Sequence, residues 1–135
     1  MPVNDASVPP ALPVSMVVRL IVVAVILVAV IATFAETASR TTVNPFNFFG
    51  YFTVQSNLLL AAVSLVVVLA RGPVAVRTLT TLRACATTSI VIVGLVYATL
   101  LAPLGAAGGV PLPWANTVLH VVTPLYGIVD WLAVP

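Results

Sequence analysis

Two side chains suited to nucleophilic chemistry lie inside long apolar segments of this sequence. Thr53 supplies a hydroxyl, and His120, the only histidine in the chain, supplies an imidazole. A hydroxyl becomes a useful nucleophile when an adjacent base takes its proton, and histidine is the side chain that most often serves as that base. The pair is therefore the first hypothesis for a catalytic site, with Thr53 as nucleophile and His120 as base.

The two residues are expected at the same depth in a membrane. If one apolar segment enters lipid near Asn47 and another near Pro113, Thr53 and His120 each lie about 10 Å inside at a rise of 1.5 Å per residue. This depth argument places the hydroxyl and the imidazole at one level. It does not by itself make the two segments neighbours.

Polar residues form one stripe on each of these two segments. In the last segment the stripe follows spacings of four, three, four and three, through Asn116, His120, Thr123, Gly127 and Asp130. The intervening residues are predicted to face lipid: Val118, Leu119, Val121, Val122, Leu125 and Ile128. In the earlier segment the stripe contains Thr53, Asn57, Leu60 and Ser64, and Ser56 flanks it. Such stripes pack inward, where hydrogen bonds between helices contribute roughly 0.6–2 kcal/mol each.

Around the Thr53–His120 pair, five further residues are predicted to support the site or bind substrate: Ser56, Asn57, Tyr97, Trp114 and Asn116. Hydrogen bonding that holds helices together is the alternative interpretation of their polar groups. Arg83 and Asp130 are predicted at the cytoplasmic ends of two segments, where a structural ion pair is the favoured interpretation.

The elements that must position these residues are predicted to be membrane-spanning helices. The chain of 135 residues is 61% hydrophobic and only 6% charged, whereas soluble domains are about 25% charged. Helices satisfy their own backbone hydrogen bonds in lipid, and about 20 apolar residues span a bilayer. We therefore predict an all-α, polytopic transmembrane helical bundle after a flexible cytoplasmic tail over 1–15. Its four spans lie at about 16–37, 46–70, 80–102 and 113–134.

The distribution of arginines predicts the orientation in the cell membrane. Four of the five arginines fall on one side of the predicted bundle, at Arg19, Arg71, Arg77 and Arg83, and Arg40 alone falls on the other. Because cytoplasmic loops are enriched in basic residues, the N-terminus is predicted to be cytoplasmic. The arginines are too few and too scattered for a nucleic-acid partner. One cysteine and one histidine exclude an internal disulfide and a histidine-rich metal cluster, and no cofactor is expected.

Three phrases of the sequence resemble bacterial membrane proteins of the Pr6Pr family, which is common in actinobacteria. They are "NFFGYFTVQSNLL", "GLVYATLL" and "WANTVLHVVTPLYGIVDWL", in the same order. Family members are small proteins with six predicted spans. The resemblance therefore leaves two alternatives for this four-span chain: a natural four-span protein, or part of a longer one.

The first and last phrases are also similar, more distantly, to the eukaryotic androgen-induced-gene/FAR-17a family. Members of that family hydrolyse fatty acid esters of hydroxy fatty acids with a threonine nucleophile and a histidine. The threonine motif matches Phe52 and Thr53 loosely, and the histidine motif matches Trp114, Asn116 and His120 well. The resemblance implies that Thr53 is the nucleophile and His120 the base.

Two hypotheses about function follow, and a third has weaker support. The first is an intramembrane hydrolase, whose partners are membrane lipid and a lipid ester substrate. The second is a non-enzymatic assembly subunit or small-ligand carrier, in which the polar stripes only pack helices. The third, a proton-coupled transporter, would depend on His120 and Asp130 alone, without a visible inverted repeat. No oligomeric state is predicted.

Overall fold

The structure, a computed structural model, describes residues 13–70, 76–108 and 111–133, and every regular element in these parts is helical. The α-helices are α1 (Val14–Arg40), α2 (Pro45–Gly50), α3 (Phe52–Leu69), α4 (Val76–Val96), α5 (Pro113–Thr117) and α6 (Thr123–Ala133). Most of the predicted N-terminal tail lies outside the described residues, and so does Arg71.

Three helical stretches are long and apolar enough to cross a membrane: Val14–Arg40, Phe52–Leu69 and Arg77–Gly105. They overlap the first three predicted spans with different limits, and the chain is therefore an all-helical protein suited to a membrane. The fourth predicted span is helical from Pro113 to Ala133, but it is divided among shorter elements. Its passage across the membrane stays a prediction.

The second predicted span, 46–70, is not one helix. Asn44 caps α2 by accepting a hydrogen bond from the amide of Phe46, and Pro45 occupies the first helical turn. The chain is then extended at Tyr51, with φ −63° and ψ 131°, before α3 begins at Phe52. Because of this break, Thr53 lies in the first turn of α3 instead of about two turns inside a longer helix.

Two π-helical turns interrupt the α-helical geometry, and each carries a candidate site residue. We name them π1 (Tyr97–Leu101), which continues α4, and π2 (Val118–Val122), which joins α5 to α6. Each ends two residues before a proline, Pro103 or Pro124. Proline donates no backbone hydrogen bond, and its ring clashes with the carbonyl four residues earlier in an α-helix. A widened turn relieves that conflict, and such turns recur at functional sites.

The helices pack as a bundle in which α3 lies between α1 and α4, and α4 contacts α6. Fully buried side chains from three parts of the chain form the centre: Ile26 on α1, Ile90 on α4 and Leu119 in π2. At the predicted outer end, the ring of Phe48 packs edge-on against that of Phe34 with centroids 5.1 Å apart, which fastens α2 to α1.

We call the continuous helical stretch of α5, π2 and α6, from Pro113 to Ala133, the last helical segment. Its contact with α4 requires glycine. A Cβ atom at Gly94 would lie 2.8 Å from Cβ of Pro124, and one at Gly127 would lie 2.8 Å from Cγ2 of Ile90. Both distances are shorter than side chains tolerate. The two glycines therefore allow the close helix approach that is typical of small residues in membrane bundles.

Gly94→Ala is expected to destabilise the protein by about 1–3 kcal/mol, because the rigid ring of Pro124 must move to admit the new methyl group. The free energy of unfolding, measured by denaturant titration in mixed micelles, tests this. Gly50→Ala is the matched control, since a Cβ atom there meets nothing within 4 Å. Equal stability of the two variants would contradict the close contact.

Candidate active site

The hydroxyl of Thr53 and the ring of His120 are in direct contact. Oγ1 of Thr53 lies 3.3 Å from Nε2 of His120, although the residues are 67 positions apart in the chain. Thr53 comes from the first turn of α3 and His120 from π2, so the predicted common depth is accompanied by adjacency. This is the geometry of a nucleophile and its base, within the loose range found in the absence of substrate.

The second ring nitrogen fixes the direction of that hydrogen bond. Nδ1 of His120 lies 3.0 Å from the backbone carbonyl oxygen of Asn116, which can only accept. Nδ1 therefore carries the proton, and the lone pair of Nε2 faces Thr53. The hydroxyl then donates to Nε2, which is the arrangement that allows proton transfer from the nucleophile to the base.

An aromatic ring covers one face of the imidazole. Tyr97, in π1, stacks on His120 with ring centroids 4.6 Å apart and planes inclined by 28°. The side-chain amide of Asn116 donates to the phenolic oxygen of Tyr97 over 2.8 Å. His120, which is only 6% exposed, is thus held by a stacked ring on its face and a carbonyl at Nδ1.

The side-chain amide of Asn57, one helical turn after Thr53, joins α3 to the last helical segment. Its Nδ2 donates to the carbonyl oxygens of Leu119, at 3.0 Å, and of Thr53, at 2.9 Å. Its Oδ1 accepts from the hydroxyl of Thr123 over 2.7 Å. These bonds fix the level of Thr53 relative to His120.

The π-helical turn explains why Leu119 can accept those bonds. In an α-helix the amide of Thr123 would donate to the carbonyl of Leu119, but here it donates to that of Val118. The carbonyl of Leu119 is left to accept from Asn57, and the hydroxyl of Thr123, whose shorter hydrogen bond is to Asn57, lies 3.2 Å from the same carbonyl oxygen. The expectation that Leu119 faces lipid is wrong, because its side chain is 1% exposed and belongs to the core.

Comparison with family models, with curated proteins and with solved structures finds no match to this chain.

Backbone amides at the start of α3 add hydrogen-bond donors beside the nucleophile. The first intrahelical donor of this turn is the amide of Gln55, which bonds to the carbonyl of Tyr51. The amides of Thr53 and Val54 precede it, and no side chain caps this helix start. The positive end of the helix dipole adds to their attraction for a negatively charged oxygen.

Two residues predicted to support the site differ in their placement. Ser56 is 2% exposed, and its hydroxyl has no hydrogen-bond partner among the described residues. Trp114 is 46% exposed and takes no part in the hydrogen bonds that hold His120. Trp114 is therefore peripheral, whereas Ser56 is a buried donor near the first turn of α3.

A separate buried charge cluster lies toward the other end of the last helical segment. Arg83 donates through Nη2 to Oδ2 of Asp130 over 3.2 Å and to its backbone carbonyl over 3.0 Å. Arg19 of α1 donates through Nε and Nη2 to Oδ1 of the same carboxylate, at 3.0 and 2.9 Å. The predicted Arg83–Asp130 pair is thus present as part of a three-residue cluster. Sequence reasoning missed the role of Arg19.

One signal for that role was available. Arg19 is the only charged residue in the first twenty residues of a Val/Ile-rich segment, and a charge placed in a membrane helix usually pairs inside the bundle.

A groove of about 420 Å³ opens beside His120, between α4 and α6. Among the residues that line it, His120 and Tyr97 have polar side chains, and the others are aliphatic or glycine. The candidate site therefore combines a hydroxyl, an oriented base, helix-start amides and an adjoining apolar groove. Among the described residues, no group of three or more metal-ligating side chains occurs.

Proposed function

We propose that this protein is an intramembrane hydrolase of fatty acyl esters, with Thr53 as nucleophile and His120 as general base. The observation that carries the proposal is the 3.3 Å contact between Oγ1 of Thr53 and Nε2 of His120, whose Nδ1 proton is held by the carbonyl of Asn116. The resemblance of the "NFFGYFTVQSNLL" and "WANTVLHVVTPLYGIVDWL" phrases to a threonine-dependent ester hydrolase family supports it.

The reaction would proceed in two steps with His120 as the proton carrier. Oγ1 of Thr53 attacks the ester carbonyl carbon while Nε2 of His120 takes the hydroxyl proton. The tetrahedral intermediate collapses by breaking the bond to the alkoxy oxygen, which takes that proton from Nε2 and leaves as the alcohol. Water then attacks the acyl-threonine, again giving a proton to Nε2, and the fatty acid leaves as Thr53 recovers its proton.

The helix-start amides have a function in this scheme. Negative charge develops on the carbonyl oxygen of the ester in both steps, and donors fixed beforehand stabilise it. The amides of Thr53 and Val54 lie in the first turn of α3 and face no intrahelical acceptor. Asn57 and Tyr97 act indirectly, by positioning the nucleophile and the base.

The proposed setting is the cell membrane, with the N-terminus on the cytoplasmic side. The arginine distribution supports this orientation, because Arg40, at the end of α1, is the single arginine on the opposite side. In that orientation Thr53 and His120 lie in the outer half of the bilayer, where membrane lipid supplies the ester substrate.

The test uses the full chain in lipid discs, a fluorogenic fatty acyl ester and a fluorophosphonate probe. Thr53→Ala should lower turnover by at least about 10³-fold and abolish covalent labelling, because the probe needs the activated hydroxyl. Thr117→Ala is the matched control. Its exposed hydroxyl bonds back to the carbonyl of Pro113, and its loss should change neither readout. Equal labelling of wild type and Thr53→Ala would overturn the proposal.

A non-enzymatic assembly or carrier function is the second candidate, and one observation favours it. The side chain of Asn57 donates to the carbonyls of Thr53 and Leu119 and accepts from the hydroxyl of Thr123, so all these hydrogen bonds are made within the protein. Such a network needs no substrate to explain it. If this function is correct, wild type hydrolyses no ester, and Thr53→Ala lowers only the stability of the protein.

A further inference from the structure

A small cavity lies among the charged side chains of the buried cluster, and neither Thr53 nor His120 lines it. Its volume is about 10 Å³, which is close to the least that holds one water molecule. Only a water molecule or a single monatomic ion is therefore small enough to occupy it. Five polar side chains line the cavity, and the rest of the lining is aliphatic: Arg19, Ser64, Arg83, Thr87 and Asp130.

The charges around this cavity do not balance among the described residues. Arg19 and Arg83 each donate to the carboxylate of Asp130, so two positive charges meet one negative charge. These side chains are at most 17% exposed, and an excess charge in such a place lowers stability unless a counter-charge lies beside it. A cation would add to the excess, whereas a monovalent anion would cancel it.

The hydrogen-bond donors at the cavity also suit an anion. A guanidinium group has only donors, and the hydroxyls of Ser64 and Thr87 can donate as well. Arg19 bonds to Asp130 through Nε and Nη2, so the N–H groups of its third nitrogen, Nη1, are not used on the carboxylate. Both carboxylate oxygens already accept from a guanidinium group, which offsets their repulsion of an anion.

We propose that the cavity binds one chloride ion, which neutralises the cluster and stabilises the junction of α1, α4 and α6. The ion enters from the predicted cytoplasmic side, because Arg19 lies in the second turn of α1 and Asp130 in the last turn of α6. The site is independent of the proposed ester hydrolysis, since it uses none of the residues of the candidate active site.

Thermal unfolding of the full chain in mixed micelles tests the site, with chloride replacing gluconate at constant ionic strength. A ligand that binds only the folded state raises Tm as its concentration increases. We expect a rise of about 4–8 °C when chloride reaches ten times its dissociation constant. Arg19→Met removes one positive charge and leaves the Arg83–Asp130 pair, so its Tm should not depend on chloride.

A substitution that keeps every charge tests the site even if Arg19→Met fails to fold. Thr87→Val has nearly the same shape but no hydroxyl. Its chloride affinity should fall by about tenfold, because one hydrogen bond to a charged group is lost. Thr81→Val, on the same helix, is the matched control and should behave as wild type, since the exposed hydroxyl of Thr81 bonds back to the carbonyl of Arg77.

Bromide quenching of Trp131 fluorescence measures binding of a halide directly. The ring centroid of Trp131 lies 5.6 Å from the guanidinium carbon of Arg83, and Trp114→Phe removes the other tryptophan. In Trp114→Phe, quenching should saturate with bromide concentration, and adding Arg19→Met should make it linear. Linear quenching in both proteins, with the same wild-type Tm in chloride and in gluconate, would overturn the inference and leave a water molecule as the occupant of the cavity.

Discussion

His120→Gln is expected to lower ester turnover by about 10²–10⁴-fold, the usual contribution of a general base. Glutamine keeps a polar group of similar reach, but its amide cannot take a proton from Oγ1 of Thr53. The side chain of His120 is buried against Tyr97, so part of the stacking is lost as well. The measurement is the steady-state kcat for a fatty acyl ester in lipid discs, together with the thermal stability of each variant.

A double variant makes this prediction specific to catalysis. Residues that act as one unit show non-additive losses, so Thr53→Ala combined with His120→Gln should be no slower than the slower single variant. Thr99→Ala serves as the control, because the exposed hydroxyl of Thr99 bonds back to the carbonyl of Leu95, four residues earlier.

If the two residues only pack helices together, the substitutions should change stability and leave turnover unaffected. If the Thr53–His120 contact only holds α3 to π2, each substitution should cost about 0.6–2 kcal/mol of stability. Turnover of the ester would then be absent in wild type and in every variant. Stability losses without any change in turnover would contradict the catalytic interpretation.

The common level of Thr53 and His120 could be predicted from the sequence, because it needs only span limits and the helical rise. Their adjacency could not, because it depends on which helices pack together. In the structure, that choice is fixed by the side chain of Asn57, which donates to the carbonyl of Leu119 and accepts from the hydroxyl of Thr123. The spacing of polar residues in the sequence does not indicate that Leu119 and Thr123 lie opposite Asn57.

The local errors have a common cause in departures from regular α-helix. A uniform rotation of 100° per residue places Leu119 on the lipid face, but π2 changes the rotation there and turns Leu119 into the core. Pro124 was the available signal, since a proline within a helical segment requires some disturbance of the preceding turn. Tyr51 breaks the second predicted span in the same way, and its neighbour Gly50, a poor helix former, was the sign of it.

The buried charges show what a count of arginines leaves out. The sequence predicts an ion pair between Arg83 and Asp130, and in the structure two positive side chains share the carboxylate of Asp130. The side chains of Arg19 and Arg83 are 5% and 12% exposed, so neither charge is solvated by water to any large extent. The guanidinium of Arg83 also lies 5.6 Å from the ring centroid of Trp131, a cation–π contact. The cluster therefore connects α1, α4 and α6 through Asp130.

Asp130→Ala is expected to destabilise the protein by about 3–5 kcal/mol, because it leaves two guanidinium groups buried without their shared carboxylate. The free energy of unfolding in mixed micelles measures the effect. Arg40→Ala is the matched control. It removes the exposed i, i+4 pair with Glu36 and should cost no more than about 0.5 kcal/mol.

Removing the whole cluster distinguishes the cost of burying positive charge without the shared carboxylate from the cost of losing the hydrogen bonds to that carboxylate. Suppose that the cost of Asp130→Ala is the burial of two guanidinium charges without their shared carboxylate. The triple variant Arg19→Met, Arg83→Met, Asp130→Leu should then recover most of the lost stability, because apolar replacements of a buried ion cluster are often neutral or stabilising. Recovery would mean that the cluster adds little net stability and that its geometry specifies which helices meet. A triple variant as unstable as Asp130→Ala would instead show that the hydrogen bonds to the carboxylate hold α1 and α4 against α6.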